Sequence, residues 1–285
     1  MARPYDAFLD ALPRDVPARC NVCAYAHDVH TLVPVDVRLD GQSPVVEYPA
    51  FRGSFVRHFS MLIYDFARYA GLAHYCPAND EVSHSIRING IWEAYETLLM
   101  LDILRQGDRT GLVLDFGVQL GWYTTLAALA GYTVVGFEAD AVNRAAALRT
   151  AAMNNCGDRV DVLHHWVGDT TPVFPNAPVR FLKADIEGAE ASVLRSCRNM
   201  FRAGSVDYAL LEISPVFNGS YPDLVAEIAD CGYVVYDVPS KTSAHRDVFE
   251  VDPLGAVQHY AIPRASLREY TANQRQTNYL FQRVA

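Results

Sequence analysis

The chain has no lysine- or arginine-rich block, and 24 basic against 33 acidic residues leave it at −9. A protein that grips nucleic acid through its phosphates needs a basic stripe, so nucleic acid is not an expected partner. No apolar run approaches the roughly 18 residues that a membrane span requires, which argues against a membrane partner. The opening "MARPYDAFLDALPRD" lacks a cationic segment followed by an apolar one, so no secretory signal is read. Six cysteines scattered over 285 residues suit reduced thiols and a cytoplasmic location. There is no internal repeat and no low-complexity tract. What remains is a chain that is 51% hydrophobic, enough to bury one large α/β domain with an extension.

From about residue 110, apolar strands alternate with helical stretches. "GLVLDFG" (111–117), "YTVVGFEAD" (132–140), "RVDVLHHWVGD" (159–169), "VRFLKADIEG" (179–188) and "VDYALLEISP" (206–215) read as strands, with helices after most of them. That alternation predicts a mostly parallel sheet with helices on both faces. "YVVYDV" and "HYAIPR", joined only by a polar loop, predict an antiparallel hairpin at one edge. The first part of the chain differs, with proline turns and a helix-like aromatic run at 54–72. "NGIWEAYETLLMLDILRQG" (89–107) reads as an amphipathic helix leading into the first strand. Residues 1–107 are therefore taken as a cap, for substrate or subunit contact, and 108–285 as the binding domain. The reading leaves room for a homo-oligomer.

The turn after the first strand, "VLDFGVQLGWYTT", carries Asp115, Gly117 and Gly121. Glycines at a strand-to-helix turn let a ligand approach backbone N–H groups at a helix start. The dinucleotide turn uses G-x-G-x-x-G and seats a pyrophosphate there. This chain lacks that triple, and a carboxylate at the turn's entrance repels phosphate while favouring an ammonium or a sulfonium. S-adenosylmethionine carries both, plus a carboxylate that Tyr123 or Thr124 at the helix start can meet, and a ribose. Glu138, at the end of the second strand, offers two oxygens for the ribose hydroxyls. An acid there serves a dinucleotide equally well, so the turn and not Glu138 discriminates. A nicotinamide-dependent oxidoreductase is the competing enzyme, and a catalytically silent cofactor-binding subunit the competing non-enzyme.

These stretches, and above all "FLKADIEGAEASVL" (181–194), resemble the FkbM-type S-adenosylmethionine-dependent methyltransferases, over roughly residues 108–235. The chain departs from that pattern at Val118 and Gln119 and at Ala139. The resemblance implies a class I methyltransferase (Rossmann-like) fold of seven mostly parallel strands with an edge hairpin. It also implies methyl transfer, most often to a hydroxyl of a sugar or of a polyketide-like natural product; the alternative acceptor is a nitrogen of a small molecule.

Ligands of parallel α/β sheets gather beyond the carboxyl ends of the strands, where Asp185, Glu187 and Glu212 also fall. A hydroxyl nucleophile gains from a base or from a metal that lowers its pKa. Asp185 or Glu187 can take the proton directly; alternatively Asp185 and Glu212 hold Mg²⁺. Lys183 lies two residues before Asp185, hence on the same side of the strand, and can pair with an acid. Glu190 reads as a helix cap. His84, Trp92 and Glu93, before or at the start of the leading helix, are candidates for closing the site, His84 also as a base. Trp166, with His165 beside it, is placed near the adenine. Cys20, Cys23, His27 and His30 are too crowded to read as a zinc site.

Overall fold

The computed structural model describes the backbone of 36–40, 43–48 and 59–62, Val82, and residues 92–168, 171, 173–213, 221–238, 260–273 and 277–284. Three short strands, β1 (Asp36–Asp40), β2 (Ser43–Tyr48) and β3 (Phe59–Leu62), form an antiparallel sheet of their own. The aromatic run at 54–72, expected to be helix-like, thus contributes a strand where it is described. Its local pattern is too short for periodicity to separate the two.

The second sheet has eight strands: β4 (Leu112–Phe116), β5 (Thr133–Glu138), β6 (Val160–His164), β7 (Val179–Ala184), β8 (Val206–Ile213), β9 (Tyr233–Val238), β10 (Tyr260–Ala261) and β11 (Thr277–Arg283). Their spatial order is β10-β9-β11-β8-β7-β4-β5-β6. β4 to β8 pair in parallel, and β11 runs antiparallel between β8 and β9. This is the mostly parallel α/β class expected from the sequence. The edge hairpin is there too, since β10 pairs antiparallel with β9, although only two residues of "HYAIPR" join it. The expectation missed β11: a C-terminal strand inserted between two others is a long-range pairing that local periodicity does not report.

Helices α1 (Ala94–Arg105), α2 (Trp122–Leu129), α3 (Ala141–Met153), α4 (Glu190–Arg202), α5 (Tyr221–Asp230) and α6 (Leu267–Asn273) surround the sheet, α6 being a further element the sequence reading did not contain. Among the described residues no helix is long and apolar enough to cross a membrane. All five residues of β4 are buried, as a strand covered on both faces must be. Successive side chains of a strand point to opposite faces, and the two cores follow that rule. Val113, Val134, Val162, Phe181, Leu210 and Leu280 pack with residues of α1, α2 and α3. Leu114, Phe116, Val135, Phe137, Leu182 and Phe281 pack with residues of α4 and α5. The same parity has a polar consequence. Asp115, Glu138, Lys183, Glu212 and Asn278 stand at even spacing from the first set, so all five belong to the α1–α3 face of the sheet.

Candidate active site

The turn after β4 contains three left-handed residues, Gly117 (φ 89°), Gln119 (φ 49°) and Gly121 (φ 89°). A Cβ on Gly117 would lie 1.9 Å from the Asp185 carbonyl oxygen, so only glycine lets β4 close on the turn that follows β7. A Cβ on Gly121 would lie 3.0 Å from the Cα and Cβ of Ala147, where α2 meets α3. Both glycines thus serve close packing within the protein as well as leaving the turn bare. Asp115, 2% exposed, faces Lys183 across the β4–β7 register. Its Oδ2 accepts the Thr124 hydroxyl at 2.6 Å, which fastens the first turn of α2 to β4. Burial pushes Asp115 up to about 6 although Thr124 and Lys183 pull the other way. The Thr124 hydroxyl, expected near a cofactor carboxylate, is therefore committed to Asp115.

At the end of β5 the Glu138 carboxylate spans two elements. Its Oε2 accepts the Gln119 N–H at 2.7 Å and its Oε1 the Asp140 N–H at 2.8 Å. Asp140 in turn caps α3 by accepting the N–H groups of Val142 and Asn143. Burial raises Glu138, and each of its oxygens keeps a further lone-pair direction beyond these bonds. Beside it, His164 donates its Nε2–H to the Ala139 carbonyl at 3.0 Å. His165 is buried edge-on against Phe137, and burial lowers its pKa. Trp166 is the member of this trio at the surface, 39% exposed.

The densest polar group lies between the β7–β8–β11 part of the sheet and α1. Lys183, 2% exposed, places Nζ 3.1 Å from Asp185 Oδ2 and 3.7 Å from Glu93 Oε2. It also sits 5.0 Å from the centre of the Tyr123 ring, whose hydroxyl donates to Glu93 Oε2 at 2.6 Å. Glu93 has left-handed backbone (φ 40°), a costly conformation for a residue with a side chain, just ahead of α1. Glu212 is hydrogen-bonded to Asp185. Burial first, then the charges of Asp185 and Glu93, push Glu212 well above the ordinary carboxyl range. Asp185 is desolvated by burial, yet its net shift is downward because Lys183 and the Glu212 hydrogen bond favour its ionised form. Both directions favour a proton on Glu212 over one on Asp185. On the far side, Asn278 donates to Glu96 Oε1 at 2.8 Å.

Glu187 stands apart from this group. It is exposed, left-handed (φ 54°) and followed by left-handed Gly188 in a tight turn. Glu190 fastens that turn, its Oε1 accepting the N–H groups of Ile186 and Gly188. His84 and the Cys20–His30 stretch lie outside the described residues. Glu96 and Asn278 went unnoticed in the sequence because one is a helix residue and the other belongs to the unforeseen β11. A cavity of about 410 Å³ opens at the opposite end of the sheet, by Asp108, Arg180, Asp207 and Arg283, where both arginines already pair with Asp207.

Glu96 gives the cluster a pH dependence. Burial, and next the Glu93 charge, raise Glu96 to about 8. The folded chain then holds this proton more tightly than the unfolded chain, whose glutamate titrates near 4. Its contribution to stability is full below about pH 4 and is lost as pH rises to about 8, at up to about 1.4 kcal/mol per pH unit. Asp115 adds a similar loss that is complete near pH 6. Wild-type protein is expected to melt at a lower temperature at pH 8 than at pH 6, and Glu96→Gln to flatten that difference. Equal slopes in the two proteins would show that Glu96 is ionised throughout.

No model of a known family matches the chain, and no curated protein matches it. Solved structures similar to it include magnesium protoporphyrin IX methyltransferase from Synechocystis with bound S-adenosylmethionine, at 15% identity and TM-score 0.42, covering 72% of this chain and 85% of that one. A ribosomal RNA methylase from Streptococcus thermophilus follows at 10% identity and TM-score 0.42, covering 65% and 93%. A ribosomal protein L11 methylase from Lactobacillus delbrueckii has 14% identity and TM-score 0.40, covering 69% and 82%. Likeness at this level carries no functional weight, which leaves function to the site's own chemistry.

Proposed function

We propose that the chain is an S-adenosylmethionine-dependent methyltransferase acting on a hydroxyl of a small molecule. The observation that carries this reading is the placement of Asp115, Glu138, Asp185 and Glu212 on one face at the carboxyl ends of neighbouring strands, beside the glycine turn. Such a rim disfavours a pyrophosphate and suits a ligand with an ammonium and a sulfonium. In this reading Gly117 and Gly121 keep the turn bare, and Glu138 accepts the ribose hydroxyls with its remaining lone pairs. Ala139 and Trp166 border the adenine, and Tyr123 helps to shape the floor under the methionyl part.

The acceptor is assigned to the region above Asp185, whose side chain is 21% exposed against 10% for Glu93. Methyl transfer is an in-line displacement, so holding nucleophile, methyl carbon and sulfur in line supplies much of the rate. An ionised Asp185 is a weak base. It would orient the acceptor hydroxyl by accepting its hydrogen bond and would take the proton as the C–O bond forms and the methyl–sulfur bond breaks, leaving the donor as its thioether.

Calorimetry with S-adenosylmethionine, S-adenosylhomocysteine and NADH tests the reading. The first two are expected to bind and NADH is not; binding of NADH alone would replace the methyltransferase with an oxidoreductase. Transfer of a labelled methyl group into alcohols, sugars, amines and RNA then separates O-methylation of small molecules from its rivals.

A further inference from the structure

Glu93, Asp185 and Glu212 each place a carboxylate oxygen within 4.8 Å of the others, the one such acidic group among the described residues. Mg²⁺ is the obvious occupant, since it takes one or two carboxylates and fills its octahedron with water and substrate oxygens at about 2.1 Å. The residues around the group do not fit it. A metal on Asp185 Oδ2 would lie no more than about 5 Å from Lys183 Nζ, which is 3.1 Å from that oxygen. Lys183 is 2% exposed, so its ammonium stays within the acidic group.

We infer that Lys183 occupies the role of the divalent cation in this acidic cage, so that the Glu93–Asp185–Glu212 site works without a metal. Three lines support this. The ammonium has two carboxylate partners on separate elements, Glu93 ahead of α1 and Asp185 after β7. It faces the Tyr123 ring, a cation–π contact. Finally, the chain contains 24 basic residues of which two, Lys183 and Lys241, are lysines. At this position, where the cation has carboxylate partners on two elements, the chain uses the compact ammonium in place of its usual guanidinium. Lys183 touches no reactant in this arrangement. It is a positioning residue that keeps Asp185 ionised and fixed.

The test is Mn²⁺ titration of the full chain followed by electron paramagnetic resonance, beside Asp185→Asn and Lys183→Met. Wild-type protein is expected to show no Mn²⁺ site that Asp185→Asn removes. Lys183→Met, with similar side-chain volume and no charge, is expected to gain Mn²⁺ affinity at least tenfold, and the double variant with Asp185→Asn to lose it again. A wild-type site sensitive to Asp185→Asn overturns the inference, and so does a folded Lys183→Met protein that gains nothing. Should Lys183→Met fail to fold, Lys183→Gln takes its place under the same criteria, and the wild-type titration stands by itself. None of these readouts involves S-adenosylmethionine, so failure here is distinguishable from failure of the methyltransferase reading.

Discussion

Gly117→Ala is expected to melt roughly 6–10 °C below wild type, against about 2–4 °C for Gly232→Ala. The two glycines share a left-handed backbone, φ 89° and 94°, in which a side chain costs about 1–2 kcal/mol. They differ in surroundings. A Cβ at 232 meets nothing within 4 Å, whereas one at 117 falls 1.9 Å from a backbone oxygen that cannot rotate away. Displacing it means moving Asp185 off the end of β4, which holds the Asp185 N–H through the Phe116 carbonyl at 3.0 Å. Overpacking of that kind adds about 1–3 kcal/mol or more. Paired thermal melts read the difference directly. Equal shifts would mean that backbone conformation alone fixes the cost and that β4 need not approach the 185 turn so closely. Because the turn proposed to hold the cofactor is displaced, Gly117→Ala is also expected to lose cofactor binding where Gly232→Ala keeps it.

Glu138→Ala is expected to weaken S-adenosylmethionine binding about 100-fold, or about 2.7 kcal/mol. Two losses combine. The proposed ribose contacts disappear, and the N–H groups of Gln119 and Asp140 lose the oxygens they donate to. A buried donor left unmatched costs about 1–3 kcal/mol, which loosens both the glycine turn and the start of α3. Glu138→Gln keeps one oxygen acceptor, so a loss nearer tenfold is expected. Calorimetry on both variants gives the ranking. Unaltered affinity in Glu138→Ala would remove this carboxylate from the cofactor site, leaving it a purely internal clamp between the turn and α3.

The alternation of strands and helices after residue 110 was readable because a strand buried on both faces is apolar throughout, and helices carry their own periodicity. So were the ends of the strands, each marked by an acid or a glycine: Asp115 with Gly117, Glu138, Asp185 and Glu212. Which of these acids share a face followed from the period of two only once the two cores were known. The sequence could also say that Lys183 and Asp185 lie on the same side of one strand.

Which partners those groups meet was decided elsewhere. Asn278 reaches Glu96 across 182 positions, on a strand that inserts between β8 and β9. Glu93 meets Lys183 only because α1 lies over the sheet with its start at the carboxyl edge. The Thr124 hydroxyl turns inward to Asp115, and Glu138 spends one lone pair of each oxygen on its own backbone. Chain-local pattern set the elements and the sign of the charge at the rim, since propensity, periodicity and turn chemistry act over a few residues. Strand order, and with it the choice of a lysine ammonium as the neutralising charge, came from packing both faces of one sheet, a condition that no short stretch of residues carries.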